Sequence, residues 1–133
     1  MRPQSITLFE RIIFGTLILG AIQSYLGWDR LAALAATAEA NPVAFILTTQ
    51  IFIFALIGTL TLLVSRRRSK VAMWTSIAMF ALGLPLSFRT ITNGLPLGSG
   101  VIMALQTIGQ LVAYGLLFAP SSRHWMNREA QAD

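Results

Sequence analysis

The segment Val43–Lys70 reads VAFILTTQIFIFALIGTLTLLVSRRRSK, and it decides the architecture of this chain. Its first part, Val43–Val64, contains no charged residue, and the basic run Arg66-Arg67-Arg68-Ser69-Lys70 follows almost at once. A helix needs about 20 apolar residues to cross the hydrocarbon core of a bilayer. Because lipid offers the backbone no hydrogen-bond partner, such a segment must satisfy its own polar groups as a helix. The pattern therefore predicts a transmembrane helix that ends in a basic loop.

The same apolar character recurs along the whole chain. Of its 133 residues, 55% are hydrophobic and 11% are charged, whereas soluble domains carry about 25% charged residues. The apolar residues concentrate in four blocks: Ile12–Trp28, Val43–Val64, Val71–Phe88 and Leu97–Ala119. We expect one all-α domain over residues 1–133, an integral membrane four-helix bundle of two antiparallel transmembrane hairpins. Its expected spans are about 10–28, 42–65, 71–89 and 97–119.

The first apolar block has an alternative interpretation as a cleaved signal peptide, because Arg2 gives it a basic start. The small-x-small cleavage pattern is missing from Ala21–Tyr25, where it would be needed. We therefore expect an uncleaved first span.

Several local patterns predict where the helices begin and end. Thr7 and Glu10 have capping-box spacing at the start of the first helix. The segment 29–39 is too short to span and predicts a surface helix capped by Asp29, whereas Asn41-Pro42 is a start signal for the second span. A loop is expected from Arg89 to Pro96, and a short polar tail after Pro120.

The basic residues of the short loops predict the orientation. With four spans, both termini and the central loop share one side. That side carries eight basic residues: Arg2, Arg11, Arg66, Arg67, Arg68, Lys70, Arg123 and Arg128. The other side carries only Arg30 and Arg89. We therefore expect both termini in the cytoplasm.

The basic loop is the first candidate site. Its main expected role is to determine topology, with some attraction to anionic lipid headgroups at the cytoplasmic face, at about 1 kcal/mol per basic residue near the surface. The residues concerned are Arg66, Arg67, Arg68 and Lys70. Nucleic-acid binding is not expected, because the charges flank apolar spans and no basic domain carries them.

Polar side chains within the spans are the second candidate site. Glutamines in three helices are expected to lie below Arg89 in the outer leaflet, where they would form a polar pocket for a small ligand or a headgroup. The residues are Gln23, Gln50, Gln106, Gln110 and Arg89. The alternative, which we favour, is that these amides bond between helices and hold the bundle together, at about 0.6–2 kcal/mol each.

Small residues form two stripes at helical spacing. Thr16, Gly20 and Ser24 lie on one face of the first helix, and Ser76 and Gly83 lie on one face of the third. Both stripes are expected to be helix-packing faces, serving either this bundle or a second copy of the chain.

The chemistry of the chain argues against catalysis. It contains no cysteine, one histidine and few carboxylates, so we expect no catalytic residue, metal site or cofactor and do not expect an enzyme. No ionisable residue lies deep in any predicted span, which argues against an ion- or proton-coupled transporter.

Three segments carry a resemblance: Ser5–Arg11 (SITLFER), Arg66–Trp74 (RRRSKVAMW) and Leu116–Trp125 (LLFAPSSRHW). Together they resemble a group of small, uncharacterised bacterial four-span inner-membrane proteins. The resemblance implies a bacterial cytoplasmic membrane and no activity, so no functional residue is carried over.

The sequence favours one function and leaves a second open. The small-residue faces and the amides favour a small integral membrane protein that acts as an accessory, interaction or oligomer-forming component. The alternative is a small transporter or channel for a neutral or weakly polar solute, based on the glutamines below Arg89.

Overall fold

The computed structural model is all-helical and describes residues 1–37, 41–92 and 97–128. Its helices are α1 (Gln4–Leu26), α2 (Trp28–Ala36), α3 (Pro42–Arg67), α4 (Lys70–Thr92), α5 (Leu97–Leu116) and α6 (Pro120–Asn127). The four long helices pack side by side: α1 contacts α3 and α5, and α4 contacts the same two helices. The short helix α2 packs against α3, and α6 contacts α1.

Three of the helices, α1, α3 and α4, are long and apolar enough to cross a membrane. The fourth expected span, 97–119, corresponds to α5, which ends at Leu116. Helix α6 then departs at an angle of 59° to the segment Gly100–Leu116. The described part of the chain therefore has three helices of this kind, or four if the bent pair α5–α6 counts as one span.

The start of α3 follows its sequence signal. The side-chain oxygen of Asn41 accepts a hydrogen bond from the amide of Ala44 at 3.2 Å, and Pro42 occupies the first turn, where no amide donor is needed. This expectation is confirmed, because cap and proline act locally and need no tertiary partner.

Two other predicted starts are wrong. Helix α1 begins at Gln4 after Pro3, and Thr7 lies inside it with its hydroxyl donating to the Pro3 carbonyl at 3.4 Å. Glu10 therefore does not complete a capping box. Helix α2 begins at Trp28, so Asp29 lies in its first turn and not at its cap. Residues 38–40 lie outside the described residues.

The turn between α3 and α4 is short. Arg68 adopts the left-handed conformation (φ 54°, ψ 28°), and the amide of Ser69 donates to the Leu63 carbonyl at 3.2 Å. Helix α4 then begins at Lys70 and packs against α3. Two helices of this length joined by two residues can pack together only as an antiparallel hairpin, as expected.

The later boundaries differ from the sequence prediction. Helix α4 continues through Arg89 to Thr92, so the loop does not begin at Arg89, and its remainder, 93–96, lies outside the described residues. The expected polar tail is the helix α6, which buries Ser122, Trp125 and Met126. Because this segment is polar overall, its composition did not indicate that it forms an amphipathic helix with one buried face.

The buried core lies at one end of the helices. It joins the first half of α1, the end of α3, the start of α4, the end of α5 and α6. Its members are Ile6, Phe9, Ile13, Val64, Ala72, Ala113, Leu117, Trp125 and Met126. This end also carries the basic turn, which consists of Arg66, Arg67, Arg68, Ser69 and Lys70. We refer to this end as the basic end.

The most extensive packing among the long helices joins α1 and α5. A Cβ atom built on Gly109 would lie 3.1 Å from Thr16 Cγ2 and 3.8 Å from Ile12 Cγ2. Thr16 is buried, and its hydroxyl donates to the Ile13 carbonyl at 2.7 Å, so this side chain is fixed. Glycine at position 109 therefore allows α5 to lie against α1.

This contact predicts a position-specific effect of enlarging one glycine of α5. Gly109→Leu should lower the free energy of unfolding by about 1–3 kcal/mol, because the side chain has no space beside Thr16. Gly115→Leu is the matched control, since a Cβ atom there would meet no described atom within 4 Å outside its own helix. Thermal unfolding of the detergent-solubilised protein, followed by circular dichroism, measures both. Equal shifts in the two variants would contradict this packing.

Candidate functional site

The polar centre of the basic end is the carboxylate of Glu10. Arg2 Nη1 lies 2.8 Å from Glu10 Oε2, and Arg66 Nη2 lies 3.7 Å from Glu10 Oε1. The hydroxyl of Ser65 donates to the same carboxylate, and Arg2 also donates to Ser65 Oγ at 3.0 Å. Three segments thus meet at one acid: the residues before α1, the second turn of α1 and the end of α3.

The centre of this cluster is shielded from solvent, whereas the Arg2 and Arg66 side chains are 38% and 64% exposed, and the cluster has an excess of positive charge. The Glu10 side chain is 16% exposed and Ser65 is fully buried. Two guanidinium groups face one carboxylate, so the cluster attracts further anions. Sequence reasoning assigned Glu10 to a capping box with Thr7. It missed Arg2 and Arg66, because eight and 56 residues separate them from Glu10 along the chain.

The basic turn divides into two pairs of residues. Arg66 contacts Glu10, and the Arg68 guanidinium lies 3.9 Å from the centre of the Trp125 ring. Arg67 and Lys70 are exposed. The four residues treated as one basic patch in the sequence are therefore not equivalent in the structure.

The glutamines of the expected polar pocket occupy different places. Gln50 Nε2 donates to Ser24 Oγ at 2.8 Å, and the Ser24 hydroxyl donates to the Gly20 carbonyl at 2.9 Å. Gln106 Nε2 lies 3.1 Å from the position of a Cβ atom on Gly20. Gln50 and Gln106 therefore flank one turn of α1, from Gly20 to Ser24. Gln50 thus makes a hydrogen bond between α3 and α1, whereas Gln106 lies close to Gly20.

The other three residues of that expected pocket lie on α1, α4 and α5. Gln23 is partly buried on α1, and Arg89 is exposed near the end of α4. Gln110 lies one turn beyond Gln106 on α5 and lines a separate cavity. None of the other four candidates lines this cavity. The structure thus groups Gln50 with Gln106 around α1 and separates Gln110 from them.

The cavity beside Gln110 lies between α3, α4 and α5 and has a volume of about 160 Å³. Most of its wall is apolar, and four polar side chains reach it. They are Ser76, Ser87, Gln110 and Tyr114. The Tyr114 ring lies between Phe9, at 5.9 Å, and Phe80, at 5.0 Å between ring centres, which links the cavity wall to the core. Sequence reasoning did not select Tyr114 as a site residue.

The two small-residue stripes differ in their surroundings. Thr16, Gly20 and Ser24 on α1 lie against α5 and α3 through Gly109, Gln106 and Gln50. On α4, the Ser76 hydroxyl donates to the Ala72 carbonyl at 2.8 Å, and Ser76 and Gly83 line the cavity. A Cβ atom on Gly83 would meet no described atom within 4 Å outside its own helix. Gly83 therefore borders open space and makes no close helix contact in the described structure.

The described residues contain no group of three or more His, Cys, Asp or Glu side chains that could hold a metal ion. His124, the single histidine of the sequence, is exposed on α6.

Comparison of this chain with protein-family models, with curated proteins and with solved structures found no significant match. The candidate sites therefore rest on the geometry alone.

The Glu10 cluster predicts that loss of one charge destabilises the basic end. Glu10→Gln keeps the volume but leaves Arg2 and Arg66 without a carboxylate, so the free energy of unfolding should fall by about 1–3 kcal/mol. Asp29→Asn, which removes an exposed carboxylate from α2, should have a much smaller effect. Thermal unfolding in detergent measures both variants.

A double variant tests whether Arg2 and Glu10 act through each other. The double variant Arg2→Gln/Glu10→Gln should lose less free energy of unfolding than the two single variants lose together. In the double variant, Arg2 is no longer present as a cation that the loss of Glu10 leaves without a carboxylate. Strict additivity would show that the two residues do not interact.

Proposed function

We propose that this chain is an integral protein of a bacterial cytoplasmic membrane, with four spans and both termini in the cytoplasm. In this proposal it acts as a non-catalytic accessory component that assembles with other membrane chains, either further copies of itself or a second membrane protein. The three to four helices of sufficient length and apolarity support insertion. The asymmetry of eight basic residues against two supports the orientation.

One observation carries the assembly part of the proposal: the outward face of α3. This helix is the most apolar of the three candidate spans, yet only 6% of its most apolar window is buried within the chain. Thr48, Phe52, Ala55 and Thr59 share one exposed face at spacings of four, three and four residues. Of these four, Ala55 and Thr59 are small residues one helical turn apart, a spacing that allows two helix backbones to approach closely in lipid.

Assembly is tested by the mass of the solubilised complex. The protein, extracted in a mild detergent, should run with a mass above that of one 14.5 kDa chain plus its detergent, as measured by light scattering. A strictly monomeric species without any co-purifying protein would contradict the proposal.

The cysteine-free sequence allows the α3 face to be located directly by cross-linking. Thr59→Cys should form a disulfide-linked dimer in isolated membranes if the partner is a second copy. Ile53→Cys is the control, because Ile53 is exposed on the opposite side of the same helix. A larger complex without the Thr59 cross-link would indicate a different partner chain.

A second candidate function, binding or passage of a neutral or weakly polar solute, is favoured by the cavity between α3, α4 and α5. An amide, a phenol and two serine side chains reach a mostly apolar space of about 160 Å³. Such a combination suits a small molecule with one or two polar groups.

Two leucine substitutions on α5 separate this second function from a purely structural role. Gln110→Leu should abolish uptake of glycerol or urea into proteoliposomes if the cavity handles such solutes. Gln106→Leu is the matched control, since Gln106 lies beside Gly20 and does not line the cavity. Uptake that is unaffected by Gln110→Leu, or is lost equally in both variants, would contradict a solute site at this cavity.

A further inference from the structure

A groove at the basic end is lined by Arg2, Arg66, Arg68 and Trp125. It has a volume of about 530 Å³ and opens to the surface. Its residues come from three separate segments: the stretch before α1, the end of α3 with the turn that follows it, and helix α6. The groove is therefore a product of the tertiary fold, and α6, expected from the sequence to be a polar tail, supplies one of its walls.

The Arg68 side chain is held against this wall by two features. Its backbone takes the left-handed conformation that ends α3, which is uncommon for a residue other than glycine, asparagine or aspartate. Its guanidinium stacks at 3.9 Å from the centre of the Trp125 ring. A long side chain that would otherwise sample many rotamers is thus placed at the groove before any ligand arrives.

The charge of the groove is unbalanced. Glu10 offers one carboxylate to two of the guanidinium groups, Arg2 at 2.8 Å and Arg66 at 3.7 Å. Among the described residues, the ion pairs found at the groove leave Arg68 without a carboxylate. Three cations against one anion leave an excess of two positive charges around one concave surface. An anion with several oxygen atoms would balance this excess.

A phosphate group fits the donors that are present. Guanidinium groups present paired N–H donors that match two oxygens of one phosphate, and such charge-assisted bonds are stronger than neutral ones. Trp125 is 8% exposed, and its indole N–H is buried with no acceptor among the described residues. The groove thus combines an arginine stacked on Trp125 with two further guanidinium groups.

We propose that this groove binds the phosphate of an anionic phospholipid headgroup. The lipid source follows from position: the groove lies where α3 ends and before α1 begins, at the boundary of the two most apolar candidate spans. This step rests on the proposed insertion of the chain with its basic end at the cytoplasmic face. The site goes beyond a general attraction of the basic turn to lipid, because Arg67 and Lys70 do not line the groove.

The experiment uses the full chain in a neutral detergent with an equimolar mixture of phosphatidylglycerol and phosphatidylcholine. Native mass spectrometry measures the ratio of the two lipids retained on the protein. The unmodified protein should retain phosphatidylglycerol preferentially. Arg68→Asn should reduce this preference about tenfold, as expected for the loss of one charge-assisted contact. Asparagine tolerates the left-handed backbone, so the turn itself is preserved.

Two further variants distinguish a built site from general charge attraction. Arg67→Asn removes one charge from the same turn but not from the groove, and it should leave the lipid ratio unchanged. Arg68→Lys keeps the charge but lacks the paired donors, and it should lose most of the preference. Equal losses in Arg67→Asn and Arg68→Asn, or full retention in Arg68→Lys, would overturn the proposal. Circular dichroism checks that each variant is folded. If Arg68→Asn does not fold, Arg66→Gln is used in its place as the groove variant.

A competition experiment with a soluble anion tests whether the bound phosphate belongs to a lipid. Inorganic phosphate at millimolar concentration should not displace phosphatidylglycerol from the unmodified protein. Displacement would overturn the lipid assignment and indicate a free phosphorylated molecule. Insertion and orientation are tested separately, by alkaline extraction of membranes and by accessibility of a C-terminal tag in intact cells. Their failure would contradict the proposed function, whereas failure of the Arg68 series alone would contradict only the groove.

Discussion

The packing of α1 against α5 is the contact on which the rest of this structure depends. Gly109 lets the two helices approach until Thr16 fills the space between them, and Phe9 and Ile13 join Ala113 and Leu117 in the same buried cluster. Helix α1 also contacts α2, α3 and α6. If α1 and α5 separated, the core at the basic end would lose the contacts of Phe9 and Ile13 with Ala113 and Leu117.

This core explains why the two ends of the molecule differ. At the basic end, α6 folds back and closes the helices with Trp125 and Met126. The exposed side chains of α3, such as Ile51 and Phe52, have no comparable cover from the chain itself. Their exposure suits a lipid environment or a partner chain, because either can cover apolar side chains that would be unfavourable in water.

The polar residues form four groups at different places in the structure. Glu10 joins α1 to α3 at the closed end. Gln50 donates to Ser24 on α1, and Gln106 lies beside Gly20 of the same helix. Gln110 and Tyr114 border a cavity between α3, α4 and α5. Arg68 and Trp125 form one side of a basic groove. Polar side chains in an apolar structure are costly without partners, so their positions mark where bonding or binding takes place.

The sequence by itself determined the helical class, the apolar length of the long helices, the hairpin of α3 and α4 and the start of α3 at Asn41-Pro42. These features depend on local backbone chemistry and on hydropathy summed along the chain. Only the tertiary structure decided that Glu10 meets Arg2 and Arg66 and not a capping partner, that Gln110 lies apart from Gln106, and that α6 packs with its tryptophan beneath Arg68. Each of these depends on contacts between residues distant in sequence, and spacing along one helix carries no information about which side chain of another helix will lie opposite.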